Sequence, residues 1–225
     1  IKMGIMKFKH SNIIATLVFI CFSCNHSNAD TSVKNSAAYL NVKKTYSQHP
    51  GKYDYIMFGD SITKNGKWNN LIPGYLIGNR GISGDDTSGM LDRINDIERT
   101  GAKTVFIMAG TNDVTRKVPP EEIAKNIILM TNHMKQKNIN VVIQSTILSG
   151  DKRKRKNTSI NKINDLLKAF SGKSGTPFLD LNSILSPNGV LKMEYTSDDT
   201  HLNTSGYEVW SKILRAYIDS SIKNR

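Results

Sequence analysis

Cysteine is scarce in this chain of 225 residues. Its two cysteines, Cys21 and Cys24, are too few for a disulfide scaffold, and five scattered histidines are too few for several metal sites. Six prolines and sixteen glycines exclude a collagen-like or low-complexity chain. No apolar run reaches the roughly 20 residues that a membrane-spanning helix needs. Acids are also short: 19 Asp and Glu face 31 Lys and Arg, a net charge of +12. Such a balance ordinarily signals an anionic partner. Here most of the excess is local. Lys2, Lys7 and Lys9 sit near the N-terminus with no acid among residues 1–29, and a run of five bases extends from Lys152 to Lys156. The remainder is nearly balanced, so no nucleic-acid partner is expected.

Residues 1–29 read as a removable export signal. A basic stretch precedes an apolar run at residues 13–24 that is too short to span a bilayer. Met6 is the expected start. Two exits stay open. Ser27-Asn28-Ala29 suits cleavage after Ala29, whereas Ser23-Cys24 resembles the end of a bacterial lipoprotein signal with a lipid on Cys24. The expected location is the periplasm, the exterior, or the bacterial cell surface through that lipid, which would be the only attachment to a membrane.

Residues 30–52 form a polar lead-in with one helix over 36–47. From residue 53 to 225, short apolar runs alternate with amphipathic stretches. Runs at 53–58, 75–79, 104–109, 140–145 and 177–180 have the length of buried strands. Helices are expected over 87–100, 121–138, 158–171 and 204–222, each with an apolar stripe at three- or four-residue spacing. This alternation predicts an α/β domain, a parallel sheet covered by helices on both faces. His133 is read on a solvated helix surface, His49 has no visible partner, and the run Lys152 to Lys156 reads as a solvated loop at the active-site end of the sheet.

In such a fold, chemistry lies beyond the carboxyl ends of the strands. Gly59-Asp60-Ser61 follows the first strand, Asn79-Arg80-Gly81-Ile82-Ser83-Gly84-Asp85 the second, and Gly110-Thr111-Asn112-Asp113 the third. Asp198-Asp199-Thr200-His201 precedes the last helix. A serine needs a base to become a nucleophile, histidine suits that task at neutral pH, and a carboxylate fixes the histidine tautomer. Asp198 and His201, three apart, fit on one turn. The Gly84 and Ser61 N–H groups and the Asn112 amide are candidate donors to an oxyanion. Asp60 and Asp85 suit hydrogen bonds that hold the loops.

These four segments resemble the blocks of the SGNH (GDSL) hydrolases: FGDSIT at 58–63, NRGISGDDT at 79–87, GTND at 110–113 and DDTHLN at 198–203. The resemblance is nearest to the bacterial branch similar to platelet-activating-factor acetylhydrolase subunits and carbohydrate O-acetylesterases. It implies a flavodoxin-like three-layer α/β/α sandwich with sheet order 2-1-3-4-5. It implies Ser61 as nucleophile, His201 as base, Asp198 as its orienter, and an oxyanion hole of Ser61, Gly84 (not Gly81) and Asn112, with no cofactor or metal. Where the family usually has Gly-Leu between the Asp and the His, this chain has Asp199-Thr200, a second carboxylate beside the base. The implied activity is hydrolysis of short acyl esters, acetyl foremost, on a small-molecule or polysaccharide alcohol. A lysophospholipase or thioesterase is the alternative, and a non-catalytic polyanion-binding protein a distant one.

Overall fold

The structure, a computed structural model, describes residues 33–223. The expected export signal, with Cys21, Cys24 and Ala29, lies outside these residues. A 3-10 turn, Val33–Asn35, opens the described chain and is followed by helix α1 (Ala37–Gln48), capped by the Ser36 side chain. Strand β1 (Tyr55–Gly59) is followed by the short helices α2 (Ser61–Lys64) and α3 (Trp68–Leu71), then β2 (Ile77–Gly81). Next come α4 (Thr87–Asp92), α5 (Asn95–Glu98), β3 (Thr104–Met108), α6 (Thr111–Thr115), α7 (Pro120–Gln136) and β4 (Asn140–Gln144). A 3-10 helix, Asp151–Lys156, leads into α8 (Asn157–Ser174), and β5 (Phe178–Leu179), α9 (Asn182–Leu185) and α10 (Thr204–Lys223) complete the domain.

The five strands form one parallel sheet in the order 2-1-3-4-5. Strand β1 is paired along its length on both sides, with Gly59 opposite Gly81 of β2 and Met108 of β3. Three strand ends therefore stop at one level. Alternate residues serve opposite faces. Ile56, Phe58, Val105, Ile107, Val141 and Ile143 share one core with the apolar stripes of α4, α7 and α8. Met57, Phe106, Met108 and Val142 share the other with Trp68, Tyr207, Trp210 and Leu214. There Trp68 and Trp210 meet edge-on at 4.8 Å between ring centroids. At 25 cal/mol per Å², rings of this size each contribute several kcal/mol of burial (roughly 4–6).

The structure departs from the sequence reading at four places. Strand β2 runs to Gly81 instead of ending at Asn79. Arg80 is carried inside the fold by stacking over Tyr46 and Tyr53 and by a hydrogen bond to the Pro50 carbonyl. Gly81 lies so close to the α2 backbone that a Cβ would meet the Lys64 nitrogen at 2.3 Å. The expected helix over 87–100 is broken into α4 and α5 at Arg93, whose side chain turns into the core. The basic run is a 3-10 helix continuous with α8, not an open loop. His133 is not merely solvated: its Nε2 is 2.7 Å from Glu98 Oε1, and this contact holds the Glu98 carboxyl below the usual range.

Arg93 joins these parts. Its Nε donates to Asp85 Oδ2 at 2.8 Å with both side chains fully buried, its Nη2 donates to the Gly59 carbonyl at 3.0 Å, and its guanidinium lies over the Phe58 ring. It thus ties the end of β1 to the loop after β2. Removing one partner of a buried ion pair leaves the other charge without compensation, at a cost of about 3–5 kcal/mol. Arg93→Met is expected to lower stability by about that amount in urea unfolding, and Arg93→Lys, which keeps the charge but not the two-way reach, should recover only part of it. A loss below about 1 kcal/mol for Arg93→Met would show that the pair does not hold the strand ends.

Candidate active site

Ser61 is the first residue of α2, immediately beyond β1. The preceding Asp60 caps that helix by accepting the Ile62 N–H on Oδ1 at 2.8 Å. The Ser61 N–H lies in the first turn, where backbone donors lack intrahelical partners. Asn79 Nδ2 donates to the carbonyls of Thr63, Lys64 and Gly66, closing the other end of the turn. The Tyr207 hydroxyl donates to the Ile62 carbonyl at 2.6 Å, so α10 grips the same turn from the opposite core.

His201 lies 140 residues away in sequence, yet its Nε2 is 3.0 Å from Ser61 Oγ. Its Nδ1 is 2.7 Å from Asp198 Oδ2. Asp198 Oδ1 accepts the N–H groups of Thr200 and His201 at 2.9 and 2.7 Å. Partial burial works against the Asp198 charge, but these hydrogen bonds prevail and hold its carboxyl below the usual range. Thr196 Oγ1 donates to the His201 carbonyl, pinning the turn to the body of the domain. Asp199 does not compete for the ring. It adopts a left-handed backbone (φ 63°), which Asp tolerates better than most residues, and turns away. Its Oδ1 accepts the Lys152 N–H at 3.3 Å and its carbonyl accepts the Gly150 N–H at 2.9 Å. The second carboxylate therefore belongs to the basic segment, and Asp198 alone orients His201.

The third group comes from the ends of β2 and β3. Gly84 sits at φ 76°, a conformation that disfavours any side chain. Its carbonyl accepts Arg116 Nη2 at 2.9 Å, and Arg116 also pairs with Asp86 at 3.3 Å. Asn112, in the first turn of α6, donates from Nδ2 to the Asp85 carbonyl at 2.8 Å and makes a longer 3.5 Å contact to Asp60 Oδ2. One N–H thus fixes the amide plane. A serine hydroxyl bonded to a carboxylate-oriented imidazole, beside a half-buried amide and a free helix turn, can carry out acyl transfer. Among the described residues, no group of three His, Cys, Asp or Glu side chains is arranged to hold a metal ion.

Behind these groups lies a layer that sequence spacing did not reveal. Arg93 and Arg116 hold the loop after β2, and Asp113 accepts both the backbone N–H and the hydroxyl of Thr87. Asp60 and Asp113 are buried, and burial pushes their carboxyls up, to about 7 and about 6 respectively, with neighbouring acids adding to the shift. Asp60 has an ordinary value of 3.8, so between roughly pH 4 and pH 7 the folded state holds a proton that the unfolded state has lost. Stability must fall as pH rises through that window. Asp60→Asn keeps an oxygen for the Ile62 N–H and removes the charge. Between pH 5 and 8 the stability difference is expected to move in favour of the variant, by roughly 2 kcal/mol in urea unfolding. A difference that stays constant with pH would contradict a buried, proton-holding Asp60.

Known proteins resemble this chain at several levels. The model of the GDSL-like lipase/acylhydrolase family matches residues 57–209. An N-acylneuraminate cytidylyltransferase of Streptococcus agalactiae is 24% identical over 130 residues, 58% of this chain and 32% of that protein. The chain thus spans about a third of the length of that relative. The isoamyl acetate-hydrolyzing esterase 1 homolog of Rattus norvegicus is 28% identical, with 75% of this chain and 82% of the rat protein covered. A crystal structure of a GDSL-like lipase from Bacteroides thetaiotaomicron shares the fold, with a TM-score of 0.69, 22% identity, and 84% of this chain and all of the other covered. The family match takes in most of β1, Ser61, the loops after β2 and β3, and the His201 turn up to the start of α10, and by it the chain belongs to the GDSL-like lipase/acylhydrolase family.

Proposed function

We propose that the chain is a serine esterase that removes short acyl groups, acetyl foremost, from a carbohydrate alcohol. The observation that carries this reading is the continuous relay from Ser61 Oγ through His201 to Asp198, with contacts of 3.0 and 2.7 Å. With Nδ1–H donated to Asp198, Nε2 is left to accept the serine proton. Ser61 Oγ then attacks the ester carbonyl carbon, and the carbonyl oxygen becomes an oxyanion held by the Ser61 and Gly84 N–H groups and the Asn112 amide. The tetrahedral intermediate collapses, the bond to the alcohol oxygen breaks, and His201 gives that oxygen its proton. Water, deprotonated by His201, attacks the acyl-enzyme and releases the acid and free Ser61.

The acyl and alcohol halves are supported separately. One relative is named for the hydrolysis of isoamyl acetate and another for N-acylneuraminate, a sugar. The rim beside His201 is charged and open: the His201 and Asp198 side chains keep 38% and 47% of their exposure. Such a rim suits a hydrated alcohol better than a long acyl chain. The basic and then apolar N-terminus supports an exported enzyme.

Ser61→Ala is expected to reduce hydrolysis of p-nitrophenyl acetate to below a few per cent, with an unchanged circular dichroism melt. Asn112→Ala should lower kcat by on the order of 10²–10³. An Asn112→Ala variant with wild-type kcat would remove this residue from the oxyanion hole. Two-carbon p-nitrophenyl esters should turn over faster than eight-carbon ones; the reverse order would favour a lysophospholipase or thioesterase.

A further inference from the structure

The basic segment from Lys152 to Lys156 is not used by the chemistry above, yet it is built into the rim of the site. Gly150 and Lys152 donate backbone N–H groups to Asp199, and Arg153 Nε donates to the Asp198 carbonyl at 3.2 Å. At the other end, Lys156 Nζ donates to Thr115 Oγ1 at 2.9 Å, on the same short helix as Asn112. The segment therefore bridges the His201 turn and α6. Between it and the turn Ser197, Asp198 and Asp199 lies an open cavity of about 410 Å³, walled by Lys152, Arg153, Arg155 and Lys156.

Among the described residues, the four bases of this wall form no ion pair. Lys154 pairs with Asp151 at 2.9 Å. Asp198 is committed to the His201 ring and two N–H groups, and Asp199 to the Lys152 N–H. Among the described residues, no carboxylate lies within ion-pair distance of Lys152, Arg153, Arg155 or Lys156. Crowding has a visible consequence: partial burial and the charges of Arg153 and Arg155 hold the Lys156 ammonium below its usual range. Four bases against the two carboxylates of Asp198 and Asp199 leave the concavity with a positive excess that favours an anion. The concavity has small-molecule dimensions, and a guanidinium such as that of Arg155 matches a carboxylate through two parallel hydrogen bonds.

The direction of the reaction decides which half of a substrate would reach it. His201 protonates the leaving alcohol, so the alcohol half lies on the His201 side of Ser61, and the basic cavity is built on the His201 turn. We propose that this cavity is a carboxylate subsite for the alcohol half, and that the preferred substrate is an acetyl ester of an acidic sugar, a uronic acid or related sugar acid. The proposal rests on the esterase reading of Ser61 and His201.

The test compares kcat/KM for an O-acetylated methyl glucuronide with that for the O-acetylated methyl glucoside acetylated at the same position. Wild type is expected to favour the acidic ester by about tenfold or more, through KM, with the preference shrinking as NaCl rises from about 0.05 to 0.5 M. The double variant Arg155→Gln/Lys156→Gln should bring the ratio close to one. Lys173→Gln, which removes a charge at the far end of α8, should leave the ratio in place. A wild-type ratio near one, a ratio that survives the double variant, or an equal fall in Lys173→Gln would overturn the subsite. So would tight, salt-sensitive binding of heparin without any preference for the acidic ester, which would mark a polyanion surface. If p-nitrophenyl acetate is cleaved in a Ser61-dependent way but the sugar acid is not preferred, the subsite alone falls. If that activated ester is not cleaved at all, the esterase reading falls first.

Discussion

The site depends on one buried ion pair. Arg93 and Asp85 are fully removed from solvent, and the same guanidinium reaches the last carbonyl of β1. Two charges taken out of water gain little net stability from their attraction. What the pair supplies is a fixed distance between two strand ends that no covalent bond connects. The loop after β2 carries Gly84, and Arg93 fixes that loop against the end of β1. Asp85, next in the chain after Gly84, is the residue held by Arg93, so the placement of the glycine follows from that of the carboxylate.

Around this pair the active-site end of the sheet is unusually rich in buried acids. Asp60 caps the serine turn, Asp85 faces Arg93, and Asp113 accepts Thr87. An apolar layer would be cheaper to bury. Carboxylates, however, have oxygens enough to bind several N–H groups at once, and each of these binds backbone or side-chain donors of a different loop. Asn112 is placed by the same logic, between the Asp85 carbonyl and the Asp60 carboxyl. Polar groups behind the Asn112 amide hold it in one orientation, the condition under which a hydrogen-bond donor can favour a developing charge over water.

Much of the architecture was legible in the sequence because strand length and helical periodicity are local properties. The five apolar runs lie within a residue or two of the strands, and Ser36 announces the first helix. Sheet order came through the resemblance of four short blocks, not through periodicity. The less legible features share a cause: they are contacts between segments far apart in the chain. Arg93 reaches back 34 residues to the Gly59 carbonyl, and its inward turn lies where the expected helix over 87–100 breaks. Arg116 looks like an ordinary exposed base at the end of α6 until its contact with the Gly84 carbonyl is seen. The extension of β2 to Gly81 needed the stacking of Arg80 on Tyr46 and Tyr53. The direction of Asp199 depends on the Gly150 and Lys152 N–H groups.

That last contact bears on the charge of the molecule as a whole. A net +12 spread evenly would steer any anion to any face. In this chain, five of the bases are concentrated in one short helix, and that helix is bonded to the turn that carries His201 and to the helix that carries Asn112. Asp199, in the place where the family usually has the Gly of Gly-Leu, looks, from the sequence, like a disturbance of the base. In the fold it is an anchor: its carboxylate and carbonyl fasten the basic segment to the catalytic turn while Asp198 keeps the imidazole. The departure from the family pattern and the concentration of charge are thus one structural device: the Asp199 anchor sets the basic segment beside the His201 turn, so the charge is local to that turn and not spread over the surface at large.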